Sequence, residues 1–92
     1  MNHLYLVVLG FGFDREEVVK YLDPLPGMGT WFYSMPNSFF IESSRSAREL
    51  SDLIKAKFPA NNLRHFVTRV SREDHQGWMP PDHWEIFNRI VR

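Results

Sequence analysis

Seven short segments with strand or helix character divide this chain, and their order limits the folds open to it. Glycine, proline and asparagine residues typical of turns stand between most of them. Apolar runs rich in β-branched and aromatic residues predict strands, and apolar residues at helical spacing predict helices. The order is β-α-β-β-α-β-α, and the predicted segments are Leu4–Leu9, a helix after Asp14, Thr30–Ser34, Ser38–Glu42, a helix after Ser46, Leu63–Val70 and a helix from Asp82 to about Val91.

The first six segments have the order of the ferredoxin-like split β-α-β fold. We therefore predict an α+β chain with a four-stranded antiparallel sheet, two helices on one sheet face and an extra C-terminal helix. The residues Met35, Pro36 and Asn37 predict a tight hairpin turn between the second and third strands. The 92 residues suffice for a single domain, 1–92, and are too few for two.

The start of each helix has the spacing of a capping box. In this motif the N-cap side chain and the third helical residue exchange hydrogen bonds with each other's backbone. We expect all three helices to begin in this way, and the predicted pairs are Asp14 with Glu17, Ser46 with Glu49, and Asp82 with Glu85.

The predicted strands are apolar on both faces. In the first strand Tyr5, Val7 and Leu9 alternate with other apolar residues, and aromatic residues alternate in the second and third strands. Because two helices cover only one face of a sheet, the other face needs a second cover. The last helix of the same chain or the sheet of a second copy would provide it, and the small size favours a homodimer.

Composition excludes several classes of protein. The chain has 11 basic and 11 acidic residues, a net charge of zero, and no cysteine. A nucleic-acid clamp that depends on bulk charge is therefore disfavoured, and a disulfide-stapled miniprotein, a zinc ribbon and a thiol nucleophile are excluded. No apolar run reaches the roughly 18 residues of a membrane span, so we expect a cytoplasmic protein without a membrane partner.

Five arginines are candidate contacts to a nucleic-acid backbone. Arg45 and Arg48 lie at the start of the second predicted helix, where free amides and hydroxyls also suit a phosphate. Arg64, Arg69 and Arg72 lie on or just after the fourth strand. The favoured alternatives are helix capping for the first group, and solvation or protection of a strand edge for the second.

Four aromatic residues are candidates for stacking on unpaired bases, as aromatic residues do on ferredoxin-like RNA-binding sheets. They are Tyr5, Trp31, Tyr33 and Phe39. This use requires a bare sheet face, so it competes with a dimer built through that face.

Metal and catalytic sites have little support. The nearby residues Asp74, His75, Asp82 and His83 match no standard spacing of metal ligands. No grouping of nucleophile, base and orienting residue stands out. We therefore predict no catalytic residue, no metal and no cofactor.

Several segments together are also typical of one protein family. They are Tyr5-Leu-Val-Val, the hairpin from Gly29-Thr-Trp31 to Ser38-Phe-Phe-Ile, the helix Ser46-Ala-Arg-Glu-Leu50, and the closing Gly77-Trp78, Pro80 and Trp84. In these segments and in the order of its elements the chain resembles the small SinR-like proteins, which are relatives of the small CRISPR spacer-acquisition subunit and of VapD-type proteins.

The resemblance implies a ferredoxin-like fold and a dimer built through the sheets. In the nuclease-active relatives an aspartate ends the first strand, and two such residues across the dimer hold a divalent metal. Leu9 or Gly10 stands at that position here, and neither side chain offers the oxygen ligand that Mg²⁺ requires. The resemblance thus implies the fold and the dimer, and it argues against metal-dependent nuclease activity.

We therefore expect a small non-catalytic interaction protein, a homodimer that docks on a protein or nucleic-acid partner, as regulators of defence or toxin–antitoxin systems do. One alternative is a Mg²⁺-dependent endonuclease or endoribonuclease in which Asp14, Glu42 or Asp74 replaces the missing aspartate. The other is a single-stranded nucleic-acid binder that uses the four aromatic residues of the sheet.

Overall fold

The computed structural model describes residues 2–59 and 63–91, and within them it contains four strands and three helices in the predicted order. The strands are β1 (His3–Leu9), β2 (Met28–Phe32), β3 (Ser38–Ser43) and β4 (His65–Arg69). The helices are α1 (Arg15–Leu22), α2 (Ala47–Lys57) and α3 (Pro81–Val91). None of the helices in these residues has the length and apolar composition needed to cross a membrane.

The strands form one open sheet in the order β2-β3-β1-β4, and every neighbouring pair is antiparallel. The α+β class and the four-stranded antiparallel sheet are therefore confirmed. The most apolar strands, β1 and β3, lie in the middle, where Val7 pairs with Phe39 on one side and with Val67 on the other. The strands β2 and β4 lie at the edges.

The first face of the sheet packs against α1 and α2. Tyr5, Val7 and Leu9 of β1 share this face, since alternate side chains of a strand point to the same side. They form one buried cluster with Phe39 and Ile41 of β3 and with the apolar sides of the two helices, Val18, Val19, Leu22, Leu50 and Ile54. This layer contains most of the fully buried side chains of the core.

The second face is covered by α3 of the same chain. Phe87 packs edge-on against Phe40, with 5.7 Å between the ring centroids, and Leu4, Phe32 and Met79 complete this buried cluster. The helix α3 thus covers the second apolar face of the strands, which α1 and α2 leave open. Of the two covers left open by the sequence, α3 of the same chain is the one present, so this face gives no support to the homodimer, which stays a prediction.

The predicted helix starts have different outcomes. The capping box of Ser46 and Glu49 is confirmed, with both reciprocal bonds at 3.1 Å. Asp14 is the N-cap of α1, but its carboxylate accepts from the N–H of Glu16 at 3.0 Å rather than from that of Glu17.

The prediction that Asp82 caps the last helix is wrong. The helix α3 begins at Pro81, so Asp82 already lies in its first turn. Proline suits the first helical position because its φ is preset and its missing N–H would have had no partner there. The carbonyl of Pro80 instead accepts from His83 and Trp84.

The β2 strand ends two residues earlier than predicted, so the predicted turn lies inside a longer connection, 33–37. Side chains from two helices hold this connection. The guanidinium of Arg15 donates to the carbonyls of Met35 and Pro36 at 2.7 and 2.9 Å. The hydroxyl of Ser34, within the connection, hydrogen-bonds to Nδ1 of His83 in α3.

Candidate nucleic-acid interface

Three exposed arginines follow one another along the β4 edge of the sheet. Arg64 directly precedes β4, Arg69 is its last residue, and Arg72 lies in the bend that follows. The stretch 63–72 contains these three arginines and no acidic residue. Within the described part of the chain, none of the three forms an ion pair. We call this stretch the basic edge.

The backbone of the basic edge is hydrogen-bonded to a neighbouring strand, β1, on one side only. The carbonyl of Arg64 accepts from Gly10 at 2.6 Å, and the N–H of Val70 donates to Leu4 at 2.9 Å. Since bonding directions alternate along a strand, the even-numbered residues of β4 bond to β1. The N–H and carbonyl groups of residues 65, 67 and 69 therefore point away from the sheet.

An exposed aromatic ring lies between Arg64 and Arg69 in the sequence, but Arg69 pairs with Tyr5 and so lies on the opposite face of the sheet from it. Phe66 is 64% exposed and pairs with Val8 on the face that α3 covers farther along. Arg64 and Arg69 lie five residues apart, which is roughly 17 Å of extended chain. The basic edge thus offers separated cationic groups along one strand edge and one exposed apolar ring on a single face, groups that suit phosphates and an unstacked base.

A polar hollow of about 680 Å³ adjoins the start of the basic edge, where Arg64 and Lys55 contribute positive charge. His65 also lines it and shares a 2.7 Å hydrogen bond between its Nε2 and the hydroxyl of Ser51. Burial, assisted by the charge of Lys55, lowers the pKa of His65. His65 is therefore mainly neutral at pH 7, and the two longer side chains carry the charge.

The four predicted stacking residues do not form one platform. Tyr5 and Phe39 are buried beneath α1 and α2, so their assignment to base stacking is wrong. Trp31 and Tyr33 are 37% and 38% exposed, and their rings lie nearly parallel at 6.1 Å. They belong to the β2 edge, at the other side of the sheet from β4. One face of the Tyr33 ring is occupied by the Arg15 guanidinium, whose carbon is 3.5 Å from the ring centroid.

The arginines at the start of α2 differ in their surroundings. Arg45 donates from Nε to the carbonyl of Pro26 at 2.9 Å and lies 3.8 Å from Glu49. It therefore joins the start of α2 to the turn before β2. Because these two contacts already engage its guanidinium, Arg45 is less available to a ligand. Arg48 is exposed on α2.

The carboxylates of the endonuclease alternative lie on separate segments. Asp14 caps α1 near the end of β1, whereas Glu42 pairs with Leu4 near its beginning. Glu42 also accepts from the N–H of Thr30 at 3.1 Å. Asp74 is exposed in the turn after β4. Among residues 2–59 and 63–91, no three His, Asp or Glu side chains are grouped closely enough to hold a metal ion.

A second exposed surface lies beside α3. Trp78 is 87% exposed and Met35 is 43% exposed, and both line an apolar hollow of about 290 Å³. Its floor includes Leu6, Phe40 and Phe87. Trp78 belongs to an irregular segment, so no periodicity in the sequence indicated its exposure.

Chemically, the basic edge offers guanidinium donors for phosphate oxygens and one exposed ring for a base. It offers no carboxylate that would bind a metal ion. Family models, curated proteins and solved structures provide no match to this chain, so its interpretation depends on the geometry described above.

Proposed function

We propose that this chain is a small non-catalytic binding protein that holds a nucleic acid along the basic edge. The observation that carries the proposal is the row Arg64, Arg69 and Arg72, all exposed and without an ion pair in the described residues. Guanidinium groups bind phosphate oxygens in pairs of charge-assisted hydrogen bonds. The net charge of zero does not oppose this, because the acidic residues lie outside the row.

The preferred form is a single strand. Only unpaired bases expose their faces to a side chain, and Phe66 is available for such a contact. This differs from the predicted sheet-face version, because the stacking surface is one residue of the edge strand, where α3 leaves the sheet partly open.

We also infer the ferredoxin-like form of the fold and a homodimer. α1 connects β1 to β2 while β3 lies between these two strands, which supports a split β-α-β unit. The SinR-like resemblance supports the same fold and the dimer. With α3 on the second sheet face, the β2 edge with Trp31 and Tyr33 offers a dimer surface that leaves β4 free.

The dimer is tested by solution mass, measured by size exclusion with light scattering at several concentrations. We expect twice the mass of the chain, and we expect Trp31→Ser with Tyr33→Ser to halve it. A monomer at every concentration would refute the dimer and leave the nucleic-acid proposal standing.

A protein partner at the Trp78 surface is the second candidate. Exposed tryptophan and methionine beside an apolar hollow are typical of interface hot spots. A partner docked there would be lost with Trp78→Ser and kept with Arg64→Gln, whereas a nucleic acid on the basic edge would give the reverse result.

Binding of fluorescent single-stranded oligonucleotides, measured by anisotropy over a range of salt concentrations, tests the nucleic-acid proposal. The double variant R64Q/R69Q should bind more weakly, with a salt slope shallower by about 1.4, since each lost contact removes about 0.7. The matched control K20Q/R89Q loses the same charge from exposed sites on α1 and α3 and should bind like the wild type. Equal losses in both variants, or no binding at low salt, would refute the proposal.

A further inference from the structure

The basic edge ends in a small hollow of about 300 Å³ with convergent polar groups. Asn2 and His3 approach it from the beginning of β1, and Arg69 and Arg72 from the end of β4. The antiparallel pairing brings these distant segments together, since Tyr5 pairs with Arg69. The last residues of α3, Ile90 and Val91, form an apolar wall.

The charges around the hollow favour an anion. Two guanidinium groups contribute two full positive charges, whereas the carbonyl end of α3 contributes about half a negative charge. Glu42 accepts from Asn2 at 3.2 Å, and Glu73 lines an adjoining hollow together with Arg69 and Arg72. Neither carboxylate forms an ion pair with the two arginines in the described residues, so both guanidinium groups remain available to a ligand.

The volume of the hollow limits the size of the ligand that it can hold. Its volume lies at the lower end of the range for small-molecule sites, about 300 to 1,000 Å³. A phosphate with its sugar fits such a space, but two successive nucleotides do not.

We propose that this hollow binds a terminal phosphate, as a phosphomonoester, while the rest of the strand follows the basic edge. The inference rests on the proposed function for the strand, but the phosphate site can be tested without one. A phosphomonoester carries about −1.5 to −2 charges at neutral pH, more than a phosphodiester within a strand. Two arginines in one hollow therefore favour a strand end over an internal phosphate.

The first experiment titrates inorganic phosphate, and separately a nucleoside 5′-monophosphate, into the ¹⁵N-labelled chain. We expect both ligands to shift the backbone amide signals of residues 2–4 and 69–72. Arg72→Gln should abolish these shifts, whereas Arg64→Gln, at the opposite end of the basic edge, should keep them. Unshifted amides in the wild type would overturn the phosphate site, and the spectrum of each variant shows directly whether it is folded.

The second experiment compares oligonucleotides of one sequence that carry a 5′-phosphate, a 3′-phosphate or hydroxyls at both ends. We expect one phosphorylated form to bind about tenfold more tightly than the hydroxyl form, as a charge-assisted contact would give. This advantage should disappear in Arg72→Gln and persist in Arg64→Gln. Equal affinity of all three forms would overturn the terminal-phosphate assignment, whereas no binding of any form would refute the proposed function and leave the phosphate titration to decide the site.

Discussion

The backbone N–H of Gly10 donates to the carbonyl of Arg64 at 2.6 Å, and this bond joins the end of β1 to the start of the basic edge. A Cβ atom at Gly10 would stand 2.7 Å from that carbonyl oxygen and 3.2 Å from the Arg64 Cβ. The approach of the two backbones is thus possible only because residue 10 has no side chain.

We predict that Gly10→Ala destabilises the chain by about 1–3 kcal/mol, the usual cost of forcing an extra carbon into packed structure. The oxygen it would meet belongs to the backbone, so β4 must move. Urea denaturation measures the change, and oligonucleotide affinity should fall with it because Arg64 is displaced.

Gly77→Ala is the matched control. A Cβ atom at Gly77 would meet nothing within 4 Å, and surface substitutions of this kind change stability by no more than about 0.5 kcal/mol. Equal destabilisation by the two alanines would contradict the steric explanation for Gly10.

The pKa of His65 should also depend on its surroundings. Burial is the larger cause of its lowered pKa and Lys55 the smaller one. We therefore expect Lys55→Gln to raise the pKa of His65 only part of the way to the ordinary value of 6.5, as measured by NMR titration of the ring. A complete return to that value would show that charge, rather than burial, dominates.

The same shift predicts a pH dependence of stability. The unfolded chain takes up a proton at His65 at a higher pH than the folded chain does, so protonation favours unfolding. The stabilising contribution is present above pH 6.5 and is lost as the pH falls through the lowered pKa of the folded state. His65→Gln should remove this part of the acid sensitivity in urea denaturation between pH 7.5 and pH 5, and an unchanged pH profile would contradict the assignment.

Much of the fold could be predicted from the sequence because the turn residues and apolar periods agree with each other. Ser46 shows this agreement, since its capping box precedes an apolar stripe that is indeed buried. Asp82 has the spacing of an N-cap but does not act as one, because Pro81 competes for the same helix start and is better suited to the first position.

The candidate site was only half predictable. The arginines of the basic edge stand out in the sequence, but the exposure of aromatic residues does not. Alternation shows that Tyr5 and Phe66 lie on definite faces, but it does not show which helix covers each face or where that cover ends. Phe66 is exposed because β4 is an edge strand that α3 leaves partly open, a property of the whole fold rather than of the local sequence.

The contact of Arg15 with the β2–β3 connection should depend on the planar guanidinium. It donates to two carbonyls and lies against the Tyr33 ring at the same time. Both hydrogen bonds leave the same nitrogen, Nη1, so we predict that Arg15→Lys destabilises the chain by about 1–2 kcal/mol because an ammonium group cannot reach both carbonyls and also lay a planar face on the Tyr33 ring. Thermal or urea denaturation measures the change, with the exposed Arg48→Lys as the control that should change little.

Alanine substitutions at Phe66 and Phe87 should distinguish an effect on binding from an effect on stability. Phe87 of α3 is buried against the sheet and packs against Phe40, so Phe87→Ala should cost about 3–5 kcal/mol of stability. Phe66 is 64% exposed, and Phe66→Ala should leave the urea midpoint almost unchanged.

The same Phe66→Ala variant should bind single-stranded oligonucleotides about 5- to 150-fold more weakly, since stacking of one base contributes about 1–3 kcal/mol. Phe66→Trp is the matching variant, because a larger ring on the same exposed edge should preserve or strengthen the stacking. If Phe66→Ala binds as tightly as the wild type while R64Q/R69Q binds weakly, the arginines hold the backbone without help from a stacked base. Such a result would remove the preference for single strands and favour recognition of phosphates alone.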